Sequence, residues 1–173
     1  MKYRELKDAE IERDNLVEAI RALSKDYSIT APDSVMEQFY IDHSASEEFI
    51  NMYGHIDLSK IVWSIIEVGV DELRSIDDNA TYPDYLAEVS EDASNFESMG
   101  EKVISVVPSV RAFWKNHGTW NTPPVFISGT LLNQKSSAKY HLVEGHTRVG
   151  CLIGLSKYKV INLANKHLVY YGQ

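Results

Sequence analysis

The sequence predicts an α+β protein in which a mainly helical, acidic first part, residues 1–98, precedes a small mixed sheet in residues 99–173. Apolar residues recur at helical spacing through much of the first part, whereas short β-branched and aromatic runs dominate the second. The charge also differs between the two parts. The first 100 residues hold 8 Lys+Arg and 23 Asp+Glu, and the remaining residues hold 9 Lys+Arg and 2 Asp+Glu. The chain therefore joins an acidic part to a basic part.

Length and composition exclude several classes of protein. With 173 residues and 44% hydrophobic residues, the chain is long enough to bury a sizeable core. No apolar run approaches the ~20 residues that span a bilayer, and the Lys- and Glu-rich start does not resemble a signal peptide. A single cysteine cannot form an internal disulfide. We therefore expect a cytoplasmic protein that makes no membrane contact.

The first part contains three segments with helical patterns. Residues 3–24 carry apolar side chains at spacings of three, four and seven, which predicts one amphipathic helix. A second helix is expected over residues 34–40, with Asp33 or Ser34 as its cap. A third is expected over residues 46–53, because Ser46 supplies a cap and acidic residues follow it.

The most apolar stretch of the first part, residues 57–68, predicts a core helix capped by Asp57. Leu58, Ile61, Val62, Ile65 and Ile66 would share one face of that helix. A buried strand over residues 61–66 is the alternative, because periodicity alone does not separate the two in a short apolar run.

Residues 71–97 are strongly acidic and predict a helix from about residue 83 to residue 96. The charge run is typical of a solvated face, and interspersed tyrosines also suit a surface that binds a basic protein partner. The residues of that expected surface are Asp71, Glu72, Asp77, Asp78, Asp84, Tyr85, Glu88, Glu91 and Asp92. Binding of long duplex DNA is not expected, since these carboxylates would repel its phosphates.

The second part begins with an apolar helical pattern over residues 99–113, in which Pro108 either starts a new helix or kinks a longer one. Strands are then expected at residues 125–127 and 139–143, joined by a polar hairpin connection. The tail, residues 158–171, predicts one or two strands broken near Asn165.

The chain is organised around a turn at Gly145, between the second of these strands and a helix expected to start near Thr147 and stop at Gly154. A helix that begins at a glycine turn presents unpaired N–H groups and the positive end of its dipole. Arg148 adds a guanidinium that can fork onto a phosphate, and His146 adds a titratable donor. The turn therefore predicts an anion site.

This order of segments resembles the ParB/sulfiredoxin-like domain over about residues 100–171. In that family a strand opening with Pro leads through a hairpin to a second strand, a Gly-x-x-Arg turn and a helix ending in Gly-Leu. The corresponding residues here are Pro123, Gly145, Arg148 and Gly154. The resemblance implies that Gly145 and Arg148 hold nucleotide phosphates, as of CTP or ATP with Mg²⁺. Sulfiredoxin chemistry is not expected, because Cys151 lies inside the helix.

Two functions follow as expectations. The first is a stand-alone ParB/sulfiredoxin-like protein that binds a nucleotide or another phosphate-containing ligand, with weak or no catalysis. Its expected ligand-binding residues are Glu144, Gly145, His146, Thr147 and Arg148. If the protein is an enzyme, Glu144 and His146 as an acid–base pair favour hydrolysis of a phosphate ester or nucleotide. The alternative is an immunity or antitoxin-type protein whose acidic surface inhibits a basic toxin, such as a nuclease.

Overall fold

The computed structural model describes residues 1–78, 84–96, 108–133 and 138–173, and these form helices around one four-stranded sheet. The helices are α1 (Leu16–Lys25), α2 (Asp33–Val35), α3 (Glu47–Tyr53), α4 (Val70–Leu73), α5 (Tyr85–Asp92), α6 (Pro108–His117) and α7 (His146–Tyr158). The strands are β1 (Trp63–Val68), β2 (Val125–Ser128), β3 (Tyr140–Glu144) and β4 (His167–Gly172). The predicted α+β class is confirmed.

The sheet has the order β1-β4-β2-β3 and mixed strand directions. β2 and β3 form the expected antiparallel hairpin, and α7 then carries the chain to β4, which runs parallel to β2. β1 pairs antiparallel with β4. The carboxyl end of β3 and the start of α7 consequently meet at one end of the sheet.

Helices cover both faces of this sheet, because side chains of each strand alternate between two hydrophobic cores. On β2, Val125 and Ile127 join the first core, which also contains Phe39 and Tyr53 of the amino-terminal helices. Phe126, between them, joins the second core together with residues of α5, α6 and α7. The sheet is therefore the shared wall of the two cores.

The two predicted parts, residues 1–98 and 99–173, both contribute to the one sheet and to both cores. The expected boundary near residue 99 falls in the range 97–107, which lies outside the described residues. β1 comes from the first part and completes a sheet whose other strands come from the second. Each core also contains residues from both parts, such as Phe39 with Val125 in the first and Val89 with Leu152 in the second.

Two of the predicted amino-terminal helices are confirmed. The segment predicted over residues 34–40 forms α2, which continues as a π-helical segment, Met36–Ile41. α3 starts after Ser46, whose hydroxyl accepts a hydrogen bond from the Phe49 amide at 3.4 Å. The single helix predicted over residues 3–24 is wrong, because the chain forms a 3₁₀ helix at Tyr3–Asp8 and then α1.

The core helix predicted over residues 57–68 is also wrong. Asp57 does accept a hydrogen bond from the Ser59 amide, but it caps only the 3₁₀ helix Leu58–Lys60. The chain then becomes the edge strand β1, in register with β4. The alternative of a strand is nearer the structure, although the strand is not buried, since Ile65 is 56% exposed.

The helix after the glycine turn begins at His146, but its predicted stop at Gly154 is wrong. α7 continues to Tyr158 and ends at Lys159, which adopts a left-handed conformation with φ of 53°. Gly154 is instead a point of close approach, because a Cβ there would lie 2.1 Å from the Ser90 carbonyl oxygen of α5. Of the one or two strands predicted for the tail, residues 158–171, the structure contains one, β4.

α5 and α6 fall within segments predicted as helical. α5 is followed by a 3₁₀ helix, Ala93–Asn95, so the ordered helix is shorter than the predicted range from about 83 to 96. The described part of α6 is Pro108–His117, and Gly118 follows it with φ of 65°. The choice between a helix that starts at Pro108 and one that is kinked there depends on residues 97–107, which lie outside the described residues. Within the described residues, no helix combines the length and apolar character needed to cross a membrane.

Replacing Gly154 with alanine tests the close packing of α5 on α7. The added methyl group would overlap the Ser90 carbonyl and the Ala93 Cβ, which is 2.6 Å away. We expect a loss of about 1–3 kcal/mol in the free energy of unfolding, measured by urea denaturation, because overpacking outweighs the gain in helix propensity. Lys157→Ala, at an exposed position of the same helix, should change it by less than about 0.5 kcal/mol. A stabilised Gly154→Ala variant would contradict this packing.

Candidate functional site

The glycine turn between β3 and α7 has the geometry that the sequence predicts. Gly145 has φ of 100°, which L side chains rarely adopt, and a Cβ there would lie 2.5 Å from the Pro124 Cβ. The first intrahelical hydrogen bond of α7 runs from the Val149 amide to the Gly145 carbonyl at 2.9 Å. The amides of the preceding three residues therefore lie at the open, positive end of the helix.

Arg148 is engaged inside the protein. Its guanidinium donates to the Thr122 carbonyl at 2.8 Å and to the Gln38 side-chain oxygen at 2.6 Å, and it lies 3.9 Å from a Glu144 carboxylate oxygen. Only 22% of the side chain is exposed. Burial lowers the Arg148 pKa and the Glu144 charge opposes that shift. The guanidinium thus fastens the turn to the π-helical segment Met36–Ile41 and to the segment before β2.

A cleft of about 420 Å³ opens beside this turn. Its wall is formed by residues from the connection between the π-helical segment and α3, from α3 itself, from α5 and from the glycine turn with the first turn of α7. These residues are His43, Ser46, Glu48, Phe49, Tyr85, Glu144, His146 and Thr147. The structure therefore brings Glu144, His146 and Thr147 of the five expected ligand-binding residues to the cleft. Gly145 and Arg148 do not line it.

His43 enters the site from a distant part of the sequence. Its Nε2 lies 3.2 Å from a Glu144 carboxylate oxygen, 101 positions further along the chain. The His43 ring stacks on Phe49, with 3.9 Å between the ring centroids and 6° between the planes. Burial alone would raise the Glu144 pKa, but the hydrogen bond from His43, with smaller contributions from the Gly145 amide and Arg148, lowers it. Glu144 is therefore a carboxylate at neutral pH.

Thr147 and Tyr85 close one side of the cleft. The Tyr85 hydroxyl and the Thr147 hydroxyl are 2.8 Å apart and join α5 to the first turn of α7. Thr147 does not cap the helix, because no side chain accepts a hydrogen bond at the α7 N-cap. Tyr85, expected on a partner-binding surface, thus lines the cleft.

His146 is the least satisfied polar group of the site. Its Nε2 is buried and has no hydrogen-bond partner in the part of the chain that the structure describes. Burial lowers its pKa, the Glu144 charge opposes this, and the neighbouring His141, His43 and Arg148 charges lower it further. The ring is therefore neutral at pH 7 and can exchange a hydrogen bond with a bound molecule.

His141, next to the site in sequence, belongs to a separate buried array. Its Nε2 lies 2.8 Å from the Tyr53 hydroxyl and its Nδ1 lies 3.4 Å from an Asp77 carboxylate oxygen. His141 and Tyr53 are fully enclosed, and burial lowers the His141 pKa even though Asp77 opposes the shift. Among the described residues, no group of three or more His, Cys, Asp or Glu side chains could hold a metal ion.

The acidic residues expected to bind a partner are dispersed by the fold. Asp71 pairs with Arg74, Glu72 with Lys166, and Asp77 with His141. Burial raises the Asp78 pKa, with a further contribution from Asp77. Exposed carboxylates with no ion pair among the described residues remain on α5 and its N-cap, at Asp84, Glu88 and Glu91. Binding of a basic protein by this face stays a prediction.

Cys151 is a core residue in the second hydrophobic core, 1% exposed. Burial raises the pKa of its thiol to about 12, so the thiol is protonated at neutral pH. It does not line the cleft.

Comparisons with known proteins identified no relative. No family model, no curated protein and no solved structure matched the chain.

The role of Arg148 in fixing the turn can be measured with two arginine variants. Arg148→Ala removes two hydrogen bonds from a charged donor and leaves the Gln38 and Thr122 acceptors unpaired, so we expect a loss of about 2–3 kcal/mol in the free energy of unfolding. Arg21→Ala removes a solvent-exposed ion pair with Glu18 and should lose less than about 1 kcal/mol. Equal losses in urea denaturation would argue against the structural role.

The buried His141 array makes stability depend on pH. Because the folded pKa of His141 is lowered, its contribution is complete above the unfolded pKa of about 6.5 and is lost as pH falls below it. In His141→Gln we expect a shallower decline of the unfolding free energy between pH 7 and 5, by up to about 1.4 kcal/mol per pH unit. His117→Gln, at an exposed position, is the control for losing a histidine outside this array. Parallel profiles for wild type and His141→Gln would refute this assignment.

Proposed function

We propose that the protein binds a small nucleotide, or a related phosphate-containing ligand, in the cleft at the start of α7. The observation that carries the proposal is the coincidence of this cleft of about 420 Å³ with an uncapped helix amino terminus. Nucleotide-sized ligands occupy cavities of about 300–1,000 Å³. The cleft is therefore large enough for such a ligand. It is also lined by the first turn of α7, whose positive end attracts anions.

The first turn of α7 supplies the contacts for an anionic group. The amides of His146, Thr147 and Arg148 precede the first intrahelical hydrogen bond and have no helical acceptor. The Thr147 hydroxyl, which lines the cleft, adds a side-chain donor at the same end. Together with the helix dipole, these groups favour a phosphate.

The stacked rings of His43 and Phe49 suit the remainder of a nucleotide. Both line the cleft, and the hydroxyls of Ser46 and Tyr85 lie in the same wall. Flat aromatic surfaces bind nucleobases by stacking, and hydroxyl groups bind sugar and base edges by hydrogen bonds. This composition favours a nucleotide over inorganic phosphate alone.

Two carboxylates in the cleft favour a ligand that arrives with Mg²⁺. Glu48 and Glu144 would repel a bare phosphate, and a divalent cation between them and the phosphates would remove that repulsion. Mg²⁺ commonly binds through one or two carboxylates plus substrate phosphates.

The order of elements supports the same proposal through the family resemblance. A Pro-led strand, a hairpin, a second strand, a glycine turn and a helix follow one another, as in ParB/sulfiredoxin-like domains. In this chain, however, Arg148 would act by positioning the turn, and the phosphate contacts would come from the α7 amides, His146 and Thr147. The proposal requires binding only, and we expect hydrolysis to be weak or absent.

Thermal unfolding with ATP, CTP or GTP, each with and without Mg²⁺, tests this proposal. A ligand at about 100 times its dissociation constant should stabilise the folded protein by about 2.7 kcal/mol, which is a shift of a few degrees. We expect a shift with at least one nucleotide, dependent on Mg²⁺, reduced in Thr147→Val and reduced in Glu48→Gln.

A matched control separates binding from general destabilisation. Thr130→Val makes the same chemical change at an exposed position outside the cleft and should keep the full shift. Arg148→Ala alone is not a suitable test of ligand binding, because that variant loosens the turn whether or not a ligand binds. If no nucleotide shifts the unfolding temperature of the wild-type protein, the proposal fails.

A further inference from the structure

We propose that the open edge of β1 pairs with the same edge of a second copy of this chain, which extends the sheet across a two-fold axis. This inference is independent of the proposed ligand, because none of the residues in β1 lines the cleft. β1 ends the strand order β1-β4-β2-β3, and within the described residues no bridge occupies its outer side. The opposite edge strand, β3, carries a bridge between Asp77 and His141.

The hydrogen bonds between β1 and β4 define which backbone groups face outwards. Val62 and Gln173 exchange both of their backbone hydrogen bonds, at 2.8 and 3.1 Å. Because such pairs alternate along an antiparallel ladder, Ser64, Ile66 and Val68 also face β4. Trp63, Ile65 and Glu67 therefore direct their N–H and C=O groups away from the sheet.

Among the features that keep edge strands apart, the side chains of β1 offer one charge, Glu67, beside exposed apolar residues. Ile65 is 56% exposed and Val62 just before the strand is 65% exposed. Leu168 of β4, opposite Glu67 and on the same face as Ile65, is 47% exposed. The strand contains no proline and no lysine, and its register with β4 is regular, so neither a charge ladder nor a bulge protects it. Such an edge is a template for another strand.

The register of β1 suits a second copy as the occupant, because the strand can pair with itself without leaving an outward-facing backbone group unpaired. An antiparallel pair centred on Ile65 places Ile65 opposite Ile65, and Trp63 of each copy opposite Glu67 of the other. All three outward-facing residues of each strand then form both of their backbone hydrogen bonds. A pair centred on Glu67 would place two carboxylates opposite each other, which is unfavourable. A pair centred on Trp63 would run into the 3₁₀ helix Leu58–Lys60.

The pairing is expected to be weak and to depend on salt. One strand pair with a few apolar side chains falls at the small end of protein interfaces. Each copy also carries a net charge of −8, so the copies repel each other at low ionic strength. Added salt should therefore strengthen the association, in contrast to an association held by ion pairs.

Analytical ultracentrifugation of the full chain over a range of concentrations tests the pairing. We expect the average mass to rise with concentration from 19.6 kDa towards twice that value, and to rise further in 0.5 M than in 0.05 M NaCl, roughly a threefold change in screening length. Ile65→Lys should keep the mass of one chain, because two cations would face each other. Val17→Lys, at a position 69% exposed on α1, should associate like wild type.

Cysteine cross-linking tests the register separately. Opposed residues in a hydrogen-bonded antiparallel pair have Cα atoms about 5.5 Å apart, which a disulfide can span. Ile65→Cys should form a covalent dimer on mild oxidation, whereas Glu67→Cys should not, and the buried native Cys151 should leave wild type uncross-linked. A wild-type chain that stays monomeric at all concentrations, or an Ile65→Lys variant that associates normally, would overturn the proposal.

Discussion

The contacts of a single guanidinium connect segments that are far apart in the sequence. Arg148 bonds to Gln38 in the π-helical segment, to Thr122 before β2, and approaches Glu144 at the end of β3. Because Gln38 itself is held by the Ser34 carbonyl and hydroxyl, the path continues to the start of α2. The cleft depends on this connection, since most of its lining belongs to residues 43–49 and to the turn that Arg148 holds in place.

The elements that could be predicted are those whose signals are local. Short β-branched and aromatic runs indicate β2 and β3, and Gly145 indicates where α7 starts. The positive φ at Gly145 explains why this position is a glycine. The helix predicted over residues 57–68 is wrong because its apolar residues fit a helix and a strand equally well. The choice is made by pairing with β4, about 100 residues later, which local periodicity does not encode.

The cleft residues that can be predicted are likewise those that lie next to one another in the sequence. Glu144, His146 and Thr147 are neighbours in sequence, so one motif was enough to group them. His43, Phe49 and Tyr85 come from three other segments, and an isolated histidine or aromatic residue carries no local sign of the cleft it lines. The predicted helix stop at Gly154 is wrong because glycine serves both as a helix stop and as a place where two backbones approach. Only the position of α5 distinguishes these uses.

The pairing of β1 with β4 has a consequence for how the chain acquires its structure. The six residues of β1, near position 65, pair with β4, near position 170. The four-stranded sheet cannot be completed before β4 is available. Loops of this length close slowly, and strand pairing between distant segments slows folding. During synthesis the segment Trp63–Val68 would consequently leave the ribosome long before β4. Its exposed Ile65 would remain accessible to chaperones and to other nascent chains until β4 emerges.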